Sequence, residues 1–313
     1  MIYLGIDTSN YTTSVSVCDN NSFINVRNIL KVKQGERGLR QSDAVFQHIK
    51  DFPDLFNQLS KNTDLKEIGA VGVSTRPRSV DGSYMPVFLA GEAFANVLKD
   101  ALGVPLFNFS HQDGHIMAGI HSADCYELLE KPFISVHLSG GTCEILKTEF
   151  LDDNFKCEII GGTKDISAGQ LIDRVGVKMG LGFPSGKELE KIALKTDKYI
   201  KLPVNSENGY INFSGIETKT ISLIEKEDIK ELSRGVLIAI AKALEKALCF
   251  CISEYKLKDV LIVGGVNANS IIKDYLKTRL DADLKFASVE LSSDNAVGTA
   301  LLTKMCYEKN KEK

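Results

Sequence analysis

Apolar residues cluster in three short runs near the start of the chain, IYLGID (2–7), TSVSVCD (13–19) and FINVRNILK (23–31). The asparagines Asn10, Asn20 and Asn21 punctuate them, a pattern that predicts strands joined by turns. Farther on, Val45, Phe46, Ile49, Phe52 and Leu55 recur at helical spacing, which predicts a helix over about 40–61. The run IGAVGVST predicts a buried strand, followed by a helix over about 85–102 and the strand VPLFNFS.

The same order then restarts. FISVHLSG, TCEILKTEF and KCEIIGG are three more strand-like runs, with Asp152, Asp153 and Asn154 as a turn between the last two. Helices are expected over about 168–181 and 186–196, a hairpin or loop insertion at KLPVNSENGYINFS, and long helices through about 215–256. The strand DVLIVGGV, a helix from about 270, the strand LKFASV and a helix from about 294 complete the pattern. A β-β-β-α-β-α order that occurs twice predicts an α/β protein of two actin-like domains around a nucleotide cleft. The expected division is 1–125 and 126–313, with the last helix packing back on the first domain. One large α/β domain is the alternative.

Length and composition agree with two globular domains: 313 residues, 43% hydrophobic and 25% charged. The net charge of -3 excludes a protein that attracts nucleic acid by bulk charge, so any RNA contact needs a local patch or a partner. Seven cysteines without a CxxC pair read as reduced thiols of a cytoplasmic protein. Neither a secretory leader nor a membrane span is expected.

Five segments carry candidate chemistry. GIDTSNYTTSVSV (5–17) is a strand–turn–strand with Asp7 at the strand end, and HLSGGTCEIL (137–146) repeats the form with paired glycines that let a backbone approach a phosphate. LIVGGVNANS (261–270) runs an apolar strand into Gly264 and Gly265 ahead of a helix start, where unpaired N–H groups favour anions and Asn269 can cap the helix. In SHQDGHIMAGIHSA, His111 and His115 are four residues apart, so a helix places both on one face within reach of one metal ion. Two nitrogens do not complete a site, and Asp294 in SSDNAVGTALL is either the missing carboxylate or, with Ser293, a helix cap. His48 has no partner in the sequence and reads as a partly exposed helix residue.

In order and spacing, these motifs resemble the TsaD-type tRNA threonylcarbamoyladenosine transferases, once called O-sialoglycoprotein endopeptidases. HQDGH is similar to that family's HxxxH pair and HLSGG to its VSGG loop. DISAGQLIDRVGVKMGLGFPSG resembles DDAAGEAFDK…GLxYPGG, and INFSGIETK, GGVNAN and SSDNA resemble FSFSGLKT, GGVAAN and CTDNG. The resemblance implies a divalent metal, iron with zinc as an alternative, on His111, His115 and Asp294. It implies an acyl-adenylate site along His137, Leu138, Ser139, Gly140 and Gly141, and adenosine contacts at Asp173, Gly186, Glu190 and Asn269. Asp7 and Ser139 are the candidate catalytic residues. The implied reaction moves a threonylcarbamoyl group from its adenylate to the exocyclic amine of the tRNA adenosine beside the anticodon. The implied partners are tRNA, a degenerate actin-like paralogue and a small ATPase.

The chain also departs from the family pattern. Where the family opens ETSCDET, this sequence has DTSNYTT, so an acidic pair falls on Tyr11 and Thr12. Thr142 replaces a histidine, Asp165 to Gln170 replace DDAAGE, and RPRSVDGSYMP stands in the GPGL region. These changes suggest a diverged paralogue. Alternative readings are carbamoyl or acyl-adenylate transfer to another acceptor, and a non-catalytic nucleotide-binding subunit of a modification complex. A basic stretch, Arg27, Lys31, Lys33, Arg37 and Arg40 against Glu36, is a candidate RNA contact. A protease is not expected, since HxxxH lacks the glutamate of HExxH.

Overall fold

In a computed structural model of the chain, residues 1–9, 11–20, 22–32 and 39–311 are described. The turn residues Asn10 and Asn21, and Lys33, Glu36 and Arg37 of the basic stretch, lie outside them. The chain forms two compact units. The first comprises Met1–Asp124, Phe150–Lys156 and Ser293–Lys313, and the second Cys125–Glu149 and Cys157–Ser292.

The first unit is built on β1 (Ile2–Asp7), β2 (Thr12–Cys18), β3 (Phe23–Ile29), β4 (Ile68–Arg76) and β5 (Leu106–Ser110), in the order β3-β2-β1-β4-β5. The first three strands are antiparallel neighbours, while β4 runs parallel to β1 and to β5. Every residue of β2 is buried, because α1 (Gln41–Ser60) packs on the strand and α9 (Val297–Lys311) crosses it as well. A strand covered in this way loses the polar alternation of a half-solvated one. The buried stripe of α1 is Ala44, His48, Phe52, Leu55 and Leu59. His48 is therefore fully buried rather than partly exposed, and its Nδ1 meets Thr13 Oγ1 at 2.8 Å.

Two close approaches bring the site together. α9 crosses β1 where Gly5 sits, and a Cβ there would meet Ala296 O and Ala300 N at 2.5 Å. α3 (His111–Ser122) packs on α9 through Gly114 and Gly298; a Cβ on Gly298 would collide with the Gly114 carbonyl. α9 starts at Val297, not at 294. Asn295 Oδ1 accepts the Val297 N–H at 3.0 Å, so Ser293 and Asp294 lie in the loop before the helix instead of capping it.

The second unit carries a seven-stranded sheet in the order β12-β11-β6-β7-β8-β10-β9. The strands are β6 (Phe133–Leu138), β7 (Cys143–Leu151), β8 (Asn154–Thr163), β9 (Asn205–Glu207), β10 (Tyr210–Asn212), β11 (Asp259–Val263) and β12 (Asp283–Phe286). Its helices are α4 (Ala168–Lys178), α5 (Gly186–Ala193), α6 (Ser214–Ile221), α7 (Ile229–Tyr255) and α8 (Ser270–Arg279). The apolar face of α7, including Val236, Ile240, Leu244 and Leu248, lies in one core with β6, β7 and β11. Among the described residues, no helix is long and apolar enough to cross a membrane.

Candidate metal centre and nucleotide-binding loops

The local sequence decides where α3 begins. Ser110 Oγ accepts the Asp113 N–H at 3.1 Å and Asp113 Oδ2 accepts the Ser110 N–H at 2.7 Å, a capping box. Asp113 is fully buried and also accepts from Ser79 Oγ at 2.7 Å and from the Phe155 N–H at 3.2 Å. The helix start is thus pinned from three directions, and with it His111 and His115 on one face.

Asp294 joins the two histidines from the loop before α9. His111 Nε2 and His115 Nε2 are 3.0 Å apart, His115 Nε2 and Asp294 Oδ1 3.2 Å, and His111 Nε2 and Asp294 Oδ1 3.7 Å. Donors bound to one ion at about 2.1 Å stand about 3.0 Å apart in an octahedron and about 3.4 Å in a tetrahedron. Two imidazoles and a carboxylate with these separations form a donor set suited to iron(II) or zinc. Arg27 supports the third donor, since its Nη1 donates to Ser293 Oγ and, at 3.1 Å, to the Asp294 carbonyl.

Asp7 occupies the other side of His111. It is 1% exposed, and its Oδ2 lies 2.8 Å from His111 Nδ1 while Oδ1 accepts the Ser9 N–H at 2.8 Å. A carboxylate on Nδ1 holds the proton there and leaves Nε2 to face the other donors. Asp7, the candidate catalytic carboxylate, thus meets His111 on the ring nitrogen away from His115 and Asp294. Burial disfavours charge on both groups, yet Asp7 is lowered by His111 and by hydrogen bonds, and His111 is raised to about 9 by Asp7 and Asp294.

The glycine loops belong to the second unit. Gly140 and Gly141 follow β6, and a Cβ on either would meet open space. Ser139 shapes this loop: its Oγ accepts the Thr142 N–H at 3.0 Å and the Gly141 N–H at 3.3 Å. Engaged in this way, the Ser139 hydroxyl helps to set the turn. Gly169 lets the start of α4 slide under the loop, since a Cβ would meet Gly140 Cα at 2.5 Å. Ser167 Oγ donates to Gly140 O at 2.7 Å. After β11, Gly264 has φ +101 and lies against Leu138 O, which bars a side chain, and Gly265 is open.

The residues expected to hold adenosine also have protein partners. Asp173 Oδ1 accepts the Ser185 N–H at 2.8 Å, Glu190 Oε1 accepts from Ser270 N and Oγ at 2.7 and 2.6 Å, and Asn269 caps α8 by accepting the Ile272 N–H at 3.1 Å. Gly186 opens α5. Together these bonds tie α4, α5 and α8 to one loop cluster. Asn267, not singled out in the sequence, is buried within it and donates to Ala287 O at 2.7 Å. The asparagine two residues before Asn269 in GGVNAN was the available signal.

Residues 24–301 match the family model described as tRNA N6-adenosine threonylcarbamoyltransferase. The chain belongs to that family. A relative of that name from Thermosipho melanesiensis is 32% identical, with 96% of this chain and 93% of the relative aligned. One from Mycoplasmopsis synoviae is 29% identical over 99% of this chain and 100% of its own length. Among solved structures, HypF of T. kodakarensis aligns with 99% of this chain at a TM-score of 0.64 and 14% identity, this chain spanning 48% of its length. A ROK family glucokinase from Streptomyces griseus aligns with 97% of this chain and 100% of its own at a TM-score of 0.55 and 11% identity. These two show the fold alone, the actin-like and sugar-kinase fold expected from the repeated element order. The chain is thus a member of an enzyme family of transferases.

Within the family, the departures at the β1–β2 turn are local. Tyr11 is 40% exposed and its carbonyl accepts the Leu30 N–H at 2.8 Å, whereas Thr12 is buried at the start of β2. Neither side chain offers a carboxylate.

Proposed function

We propose that this protein transfers a threonylcarbamoyl group from threonylcarbamoyl adenylate to the exocyclic amine of the tRNA adenosine beside the anticodon. The observation that carries the reading is the convergence of His111, His115 and Asp294 with their ligand atoms all within 4.8 Å of one another, in a chain of this family. These three residues would hold one divalent ion, iron or zinc. When bound, it would supply positive charge for the threonyl and carbamoyl oxygens.

The rest of the work falls to the chain's own groups. The donor is a mixed carbamic–phosphoric anhydride and is already activated, so no protein nucleophile is required. This fits a Ser139 hydroxyl bound into its own loop. Gly140, Gly141 and Gly265 leave backbone within reach of the adenylate. As the amine nitrogen bonds to the carbamoyl carbon, the bond from that carbon to the phosphate oxygen breaks, and AMP departs with the electron pair. The amine gives up one proton. Amide dipoles of the glycine loops would favour the charge on the departing phosphate. The partners of this reading are tRNA, a degenerate actin-like paralogue and a small ATPase.

The replaced acids at Tyr11 and Thr12 favour a second reading, acyl-adenylate transfer to a different acceptor. One experiment separates the two. The protein, its partners, threonylcarbamoyl adenylate, unmodified tRNA and iron(II) or zinc are combined, and the tRNA nucleosides are analysed by mass spectrometry. Threonylcarbamoyladenosine in the digest is the expected result. Consumption of the adenylate without modified adenosine would favour the second reading, and an inert adenylate would overturn both.

A further inference from the structure

With a net charge of -3, the chain can contribute to holding a polyanion only through a local patch. The second unit carries a cationic stripe. Lys187 and Lys191 are four residues apart on α5 and exposed, opposite the buried Leu189 and Ala193. Lys195 follows one turn on, and Lys178 is exposed in the last turn of α4, which packs on α5.

The acids of this region are occupied elsewhere. Glu190 is bound to Ser270, Asp173 to the Ser185 N–H, and Glu188 Oε2 accepts the Gly182 N–H at 3.2 Å. These bonds fix where the carboxylates lie and leave their charge in place, so Lys178, Lys187, Lys191 and Lys195 keep a small positive balance over Asp173, Glu188 and Glu190. Beside it stands Phe183, 78% exposed three residues before α5 begins. Its loop is held still: besides the bonds at Gly182 and Ser185 N, Ser185 Oγ donates to Gly182 O at 2.7 Å. A rigid loop that offers an aromatic face to solvent, next to a row of lysines, is the arrangement by which proteins hold unpaired bases and their phosphates.

We propose that the α5 face of Lys187 and Lys191, with Lys178, Lys195 and Phe183, grips the RNA substrate beside the nucleotide-binding loops. The inference rests on the transferase reading for the identity of the RNA. The lysines take backbone phosphates and Phe183 stacks on an unpaired base. Gly186, at the head of the same helix, links this surface to the loop cluster that would hold adenosine.

The test uses the full chain and a labelled, unmodified tRNA transcript, with binding followed by anisotropy across a salt series. Each phosphate contact contributes about 0.7–0.9 to the slope of log affinity against log salt. Replacing Lys187, Lys191 and Lys195 together by Gln should make the slope shallower by about 2–3 and lower affinity at least about tenfold at moderate salt. Phe183→Leu should weaken binding roughly five- to hundredfold without changing the slope, and Phe183→Tyr should restore it. Calorimetry with AMP should give the same nucleotide affinity for all variants, which separates a surface role from a damaged fold. Wild-type affinity and slope in the triple variant would overturn the proposal, as would a wild-type chain that does not bind the transcript. Neither result touches the transferase reading, which is decided by product formation.

Discussion

Replacing Asp7 by Asn tests the arrangement around the candidate metal centre most directly. The substitution keeps an oxygen that can accept the His111 Nδ1–H, now 2.8 Å away, and removes only the charge. Losing such a supporting partner typically weakens metal binding about 10- to 100-fold, or about 1.4–2.8 kcal/mol. Asp7 has an opposing effect in the metal-free protein. Against the pull of burial, Asp7 and Asp294 raise His111 to about 9, so at pH 7 an incoming ion must displace a proton. Two pH units at about 1.36 kcal/mol each make that displacement cost about 2.7 kcal/mol, or about a hundredfold in apparent affinity.

The sign of the pH dependence follows. Wild-type affinity should rise about tenfold per pH unit from 7 towards 9 and then level off. In Asp7→Asn burial is opposed by Asp294 alone, the ring titrates at lower pH, and the profile flattens. The variant should be 10- to 100-fold weaker than wild type at pH 9, and between equal to it and about tenfold tighter at pH 7. Competition with a zinc chelator of known affinity at each pH gives the measurement, and thermal melting confirms that the variant folds. Equal affinities at pH 9, or parallel profiles from pH 7 to 9, would refute the reasoning.

Gly298→Ala drives a methyl group into the Gly114 carbonyl, so it should cost roughly 1–3 kcal/mol in urea unfolding and weaken zinc binding by moving α3 away from Asp294; unchanged stability would contradict the packing. Burial lowers His48 to about 4, below its ordinary value of about 6.5. Stability is therefore fully present above pH 6.5 and lost as the pH falls towards 4, by about 2–3 kcal/mol at pH 4.5, and urea unfolding of His48→Gln should lack that loss. Gly141→Leu fills the open side of its loop and should lower AMP affinity in calorimetry at least about tenfold without shifting the melting temperature. Tyr11→Asp with Thr12→Glu should raise turnover with tRNA about a hundredfold or more if proton removal limits the rate, and leave it unchanged if it does not.

The parts of the site that lie within one element could be read from the sequence. His111 and His115 needed only the helical period, and the strand–glycine–helix run at 261–270 needed only its apolar pattern. Asp294 came from the family resemblance, because an aspartate before an apolar helix also suits a cap, and here Asn295 takes that role. The contact of Asp7 with His111 joins residues 104 positions apart, through the parallel pairing of β1 with β4 and β4 with β5, and no local pattern encodes it. His48 shows a different failure. It falls in register with Ala44, Phe52, Leu55 and Leu59, so the helical period placed it in the buried stripe. Its polarity argued for exposure, and Thr13, on a strand distant in sequence, supplied a partner for Nδ1, while Nε2 is buried without a hydrogen bond among the described residues. Asp173 was legible as a polar residue in a family motif and Glu190 only as implied by the resemblance, and their hydrogen bonds to Ser185 and Ser270 depend on helices meeting in space.

The charge around the metal centre bears on what the departures do. With a divalent ion bound and both histidines neutral, Asp7 and Asp294 balance the ion's two positive charges. Carboxylates at positions 11 and 12, as in the family pattern, would add two negative charges on the turn that follows β1. In this chain Tyr11 and Thr12 leave that turn neutral. Under the proposed reaction, an anionic donor such as an acyl adenylate would meet less repulsion there, whereas the amine would lose groups that could take its proton. These effects act on different quantities: weaker repulsion lowers the KM for the donor, and a missing base lowers kcat. The substitutions at 11 and 12 should therefore move KM and kcat upward together. A change in one without the other would show which of the two, donor charge or proton removal, the turn controls.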